Sequence, residues 1–130
     1  PERRINFLLD SINHSQFASL HPAFQLTILS NLVRSYVEAG DINKARVYVK
    51  QTFDLNHDLS MPYGIWPSGN SVPNVSPIPY LARGEIFMAE GNFDEAVSDF
   101  KKALEINPRY SEAVNNLERA YKQRTDADVK

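Results

Sequence analysis

Residues 80–108 read YLARGEIFMAEGNFDEAVSDFKKALEINP, and this stretch decides the fold. Tyr80, Gly84 and Phe87 recur at helical spacing, with Leu81 and Met88 beside them, so they share one face of a helix. The pattern breaks at Glu90-Gly91-Asn92. A second stripe follows, with Ala96, Val97, Phe100, Ala103, Leu104 and Ile106 facing inward before Asn107-Pro108 stops it. Asn92 is placed to cap the second helix, with Glu95 three residues on to complete a capping box. Two short amphipathic helices around a glycine turn make an antiparallel hairpin.

The same grammar occurs upstream. Leu29, Leu32, Val33 and Tyr36 form a first stripe, Ala39-Gly40-Asp41 a turn, and Ala45, Tyr48, Val49, Thr52, Phe53 and Leu55 a returning stripe. Downstream, Ala113, Val114, Leu117, Ala120 and Tyr121 repeat the first-helix stripe before the chain turns polar. The turn glycines Gly40 and Gly91 are too far apart for a regular repeat of about 34 residues. The surplus falls in residues 60–76, which hold Pro62, Tyr63, Gly64, Ile65, Trp66, Pro67, Gly69 and Pro73 and read as a non-helical insertion.

This arrangement resembles the tetratricopeptide repeat family, whose pattern wants an aromatic, then Leu-Gly, then Tyr, a later Ala-x3-Phe and a closing Pro. Here those positions are Tyr80, Arg83-Gly84, Phe87, Ala96, Phe100, Ala103 and Pro108, with Arg83 the main departure. The upstream copy carries Leu29, Leu32-Val33, Tyr36, Ala45, Val49 and Thr52, with His57 where the proline belongs. The resemblance implies an all-α solenoid of helix hairpins, with about six helices and one irregular insertion. Its divisions are an N-terminal helix, cap or partial repeat over 1–25, a first repeat over 26–59, the insertion over 60–76, a second repeat over 77–110, and a C-terminal capping helix and tail over 111–130.

Bulk composition narrows the function. The 130 residues are 42% hydrophobic and 23% charged, with a formal net charge of −2. There is no basic excess to attract nucleic acid. No apolar run approaches the length of a membrane span. Cysteine is absent, which excludes disulfides, thiolate metal sites and a cysteine nucleophile. His14, His21 and His57 lie in different segments without ligand spacing, and no phosphate-binding glycine loop occurs. Asp94, Glu95 and Asp99 read as the solvated face of one helix rather than an acid–base pair. No catalytic group and no cofactor is implied. The sequons Asn13-His14-Ser15 and Asn74-Val75-Ser76 do not establish secretion, and the compartment, cytoplasmic or periplasmic, stays open. The chain opens at Pro1 and reads as a piece of a longer protein.

The family resemblance implies a protein- or peptide-binding scaffold working through a concave groove lined by the first helix of each repeat. The positions carried over to that groove are Asn31, Arg34 and Glu38 from the first copy, flanked by Thr27, Ser30 and Val37. The second copy gives Ile78, Leu81, Glu85 and Met88, beside Ala82. The third gives Asn115, Arg119 and Lys122, beside Glu112 and Asn116. Ile78, Leu81 and Met88 read as an apolar centre flanked by Arg34 and Arg119, suited to a peptide with an apolar anchor and an acidic group. In the insertion, Tyr63 and Trp66 either contact a partner or seal a helix face. Asn31, Arg34 and Asn116 approach the carboxylate clamp that some family members use on heat-shock chaperones. Ser30, Ala82 and Glu112 depart from it. Two further expectations are a docking or regulatory appendage of a larger enzyme, such as a bacterial membrane glycosyltransferase, and self-association through exposed end faces.

Overall fold

Among the described residues, two glycines at positive φ shape the chain: Gly40 at 82° and Gly91 at 78°. Each reverses direction between two helices, a left-handed conformation that glycine adopts without steric cost. A computed structural model describes residues 2–20, 22–60 and 76–129, and Tyr63 and Trp66 lie outside them. Its helices are α1 (Glu2–Asn13), α2 (Pro22–Glu38), α3 (Ile42–Ser60), α4 (Ile78–Ala89), α5 (Phe93–Ile106) and α6 (Ser111–Val129), with a 3-10 turn at Phe17–Ser19. The all-α expectation of about six helices holds among the described residues. Helices α2 and α3 form one hairpin, α4 and α5 the next, and α6 packs on α5. Helix α1 packs on α2.

Helix starts are satisfied by means only partly visible in the sequence. Asp41 caps α3, its Oδ1 accepting the Lys44 amide at 3.2 Å. Asn92, expected to cap α5, makes no side-chain cap bond. Its ψ of 72° lies away from the usual extended cap geometry, and α5 begins on the Asn92 carbonyl alone, 3.1 Å from the Ala96 amide. At the start of α4, buried Asn56 of α3 brackets Ser76. Asn56 Nδ2 donates to the Ser76 carbonyl at 3.2 Å, and the Ser76 amide donates to Asn56 Oδ1 at 2.8 Å. Ser76 Oγ in turn accepts the Ile78 amide at 3.1 Å. One buried asparagine thus ties α3 to the residues just before α4.

Helix α4 is the hub of the packing. Its Ala82 and Ile86 join Leu32, Val33, Tyr36, Ala45 and Val49 of the first hairpin. Its Leu81 and Met88 join Ala96, Val97, Phe100 and Ala103 of α5 and Ala113 and Ala120 of α6. Small residues let these helices approach closely. A Cβ on Gly84 would lie 2.8 Å from Phe100 Cδ1 and 2.9 Å from its Cζ, so the position admits only hydrogen without repacking.

Asp99 corrects the sequence reading. It is 4% exposed, not solvated. Its carboxylate accepts both Arg83 Nε and Arg83 Nη2 at 2.8 Å, a two-point bond between α5 and α4. The Arg83 guanidinium also lies 4.4 Å from the Phe53 ring centre, and Phe53 meets Tyr80 edge to face at 5.1 Å. Arg83, where the repeat pattern has leucine, therefore joins α3, α4 and α5. The hydrogen bonds Arg83 donates to Asp99 raise the Arg83 pKa above the ordinary arginine value, against the opposing pull of partial burial.

Candidate functional site

The inner wall is built from the faces of α2, α4 and α6 that are not consumed by hairpin packing. It forms a cleft of about 560 Å³ lined by Arg34, Val37 and Glu38 of α2, Glu85, Met88 and Ala89 of α4, and Glu112, Asn115, Asn116, Arg119 and Gln123 of α6. A smaller hollow of about 210 Å³ adjoins it, lined by Thr27, Ser30, Asn31, Ile78, Leu81, Ala82 and Tyr110. Arg34, Glu85 and Glu112 line both and form the sill between them.

That sill is an ion-pair network across three helices. Arg34 Nη2 donates to Glu85 Oε1 at 3.1 Å and Arg34 Nε donates to Glu85 Oε2 at 3.3 Å. The same Nη2 donates to Glu112 Oε2 at 2.8 Å. Asn116 Nδ2 donates to Glu85 Oε1 at 3.3 Å. Burial lowers the Arg34 pKa, but the hydrogen bonds and charges of Glu85 and Glu112 outweigh it, so the guanidinium is held above its ordinary value. Glu85 is pushed above the usual carboxylate range, by burial first and by Glu112 in addition, against the pull of Arg34 and Asn116. Tyr110 is raised chiefly by burial, and Glu112 adds to it.

The network implies a pH dependence. A carboxyl whose folded pKa is raised contributes stability that is full below its unfolded value of about 4.3 and lost as pH rises through the folded pKa. At neutral pH, ionised Glu85 therefore costs stability. We expect Glu85→Gln to flatten the fall of stability with pH above about pH 4.3. Urea unfolding across pH 4–8 checks this, and an equally sloped variant would refute it.

The sequence-derived site residues fare unevenly. Arg34, Glu38, Glu85, Met88, Asn115 and Arg119 all line the larger cleft, and Asn31, Ile78 and Leu81 the smaller hollow. Leu81 and Met88 are only 3% and 8% exposed, because the second core claims them, and Ile78 is half-buried. The expected apolar centre is thus mostly core, and the centre of the wall is charged. Arg34 is occupied by two carboxylates of this chain, which removes it as a ready partner for an acidic group. Lys122 is exposed but lines neither hollow. Gln123, four residues after Arg119, continues the inner stripe of α6 instead. Tyr110, Ala89 and Gln123 were not anticipated. Only the i, i+4 step from Arg119 would have pointed to Gln123.

The fold is an all-α stack of helix hairpins, and it is similar to the tetratricopeptide-repeat kind of helical repeat. Residues 77–110, covering α4 and α5, match the family described as "Tetratricopeptide repeat". The chain is also similar to the protein "Protein CTR9 homolog" of Arabidopsis thaliana, at 26% identity over 123 residues. That alignment covers 91% of this chain and 10% of the relative, so the chain spans about a tenth of the length of the curated relative it matches. No described helix is long and apolar enough to cross a membrane.

Proposed function

We propose that the chain is a scaffold module whose wall of α2, α4 and α6 holds a segment of a partner protein, acting by display rather than by catalysis. One observation carries the reading. The three first helices enclose an open cleft of about 560 Å³ while their charged groups are held in place by the Arg34–Glu85–Glu112 network. Such pre-ordering lowers the entropic cost of capturing a peptide. The volume lies within the range of binding clefts, at about 300–1,000 Å³. The similarity to a repeat family that serves protein interaction supports the same reading.

A second reading is that the module is one segment of a much longer scaffold. The length of the relative favours it, and it leaves the role of the wall unchanged.

The test is to pan a random 12-residue peptide library against the chain and against Asn115→Trp. Asn115 is exposed on the cleft wall, so the indole fills the cleft without entering the core. Recovered peptides are expected to bind the variant at least about tenfold more weakly, a loss of about 1.4 kcal/mol. Peptides that bind both proteins equally would place the binding surface elsewhere.

A further inference from the structure

The cleft has polarity along α6. Glu112, Asn115, Asn116, Arg119 and Gln123 form one stripe, acidic at its start, amide in the middle and basic two turns on. The two ends differ in how their charge is satisfied. At the first, Glu85 and Glu112 share the single guanidinium of Arg34, so one negative charge is left over. Glu112 is the more accessible of the two carboxylates, its side chain 51% exposed against 14% for Glu85. At the second, Arg119 is exposed and forms no ion pair with any described residue. Glu38, also on the cleft, is offset by Arg4 at 2.9 Å and does not alter this asymmetry.

Resting on the groove reading above, we propose that the occupant is a peptide with a basic side chain seated at Glu112 and an acidic one seated at Arg119. Geometry sets their spacing. Seven residues of α6 separate the two ends, a rise of about 10.5 Å. An extended peptide advances about 3.3 Å per residue, so the two ligand charges stand about three positions apart. Val37 and Ala89 give the aliphatic stem of a lysine or arginine an apolar surface beside the sill. The amides of Asn115 and Asn116 lie between the ends, where the ligand backbone passes. An acidic group seated at Arg34 would have to displace Glu112 or Glu85 from it. The bipolar ligand leaves that network intact.

The test uses the tightest peptide recovered from the random 12-residue library, with fluorescence anisotropy on the wild type, Glu112→Gln, Arg119→Glu and Asn115→Trp. Both charged positions are exposed, and circular dichroism of each variant confirms the fold. The expected consensus has Lys or Arg and Asp or Glu about three positions apart. Arg119→Glu should weaken it about tenfold and Glu112→Gln about fivefold, and reversing the acidic ligand residue to Lys should restore binding to Arg119→Glu. A consensus of one charge sign, or affinity unaffected by both charge variants but lost in Asn115→Trp, would overturn this inference and leave the groove reading standing. Peptides indifferent to all three variants, or no recovered binder, would overturn both.

Discussion

Replacing Arg83 by leucine, the residue the repeat pattern favours there, is expected to destabilise the protein by about 3 kcal/mol. The reason is Asp99. Its side chain is 5% exposed and its carboxylate is bonded twice by Arg83. Truncating the partner leaves a buried charge without compensation, which costs far more than an exposed ion pair is worth. The leucine also gives up the stacking of the guanidinium on Phe53. Thermal or urea unfolding reads the loss, on the order of 10 °C in Tm for a chain of this size. Removing both charges, Arg83→Leu with Asp99→Leu, should recover stability to within about 1 kcal/mol of the wild type, since the apolar pair needs no desolvation. A single variant as stable as the wild type would show that Asp99 is not dependent on Arg83.

The second large effect lies in the α4–α5 contact. Phe100 is fully buried, and Phe100→Ala should cost about 3–5 kcal/mol through lost burial and a residual cavity. Gly84→Ala should cost about 1–2 kcal/mol in the wild type, because the added methyl meets the Phe100 ring. In the Phe100→Ala background the ring is gone, and the same change should become stabilising by up to about 1 kcal/mol, the helix preference of alanine over glycine. This reversal of sign in a double-mutant cycle tests the contact directly. A Gly84→Ala cost that persists without the ring would assign it to another neighbour.

Local patterns carried the fold and tertiary pairings did not. The stripes around Tyr36 and Phe87 and the turn glycines Gly40 and Gly91 are short-range signals, and each has its counterpart in the helices and turns. Asp99 was misread because polar residues on an amphipathic helix look solvated unless the partner is known, and Arg83 lies 16 residues away on another helix. Asn92 had the right chemistry for a cap, but its backbone torsion denied it the bond. Asn56, which pins Ser76 across 20 residues, carried no local signal at all. The wall was legible as a set of positions, since helix periodicity assigns faces. Its chemistry was not, because α4 is buried toward both hairpins and draws Leu81 and Met88 into the core, while Arg34 finds Glu85 and Glu112 only once three helices are side by side.

The measurement that tests the central claim most directly is a ¹⁵N chemical-shift titration of the chain with the tightest library peptide. The account predicts saturable shifts concentrated on Arg34, Glu85, Asn115, Asn116 and Arg119, with the Arg83–Asp99 side of the hairpins unchanged. Shifts centred on that outer side, or on Phe7 and Phe24 of the first two helices, would contradict it.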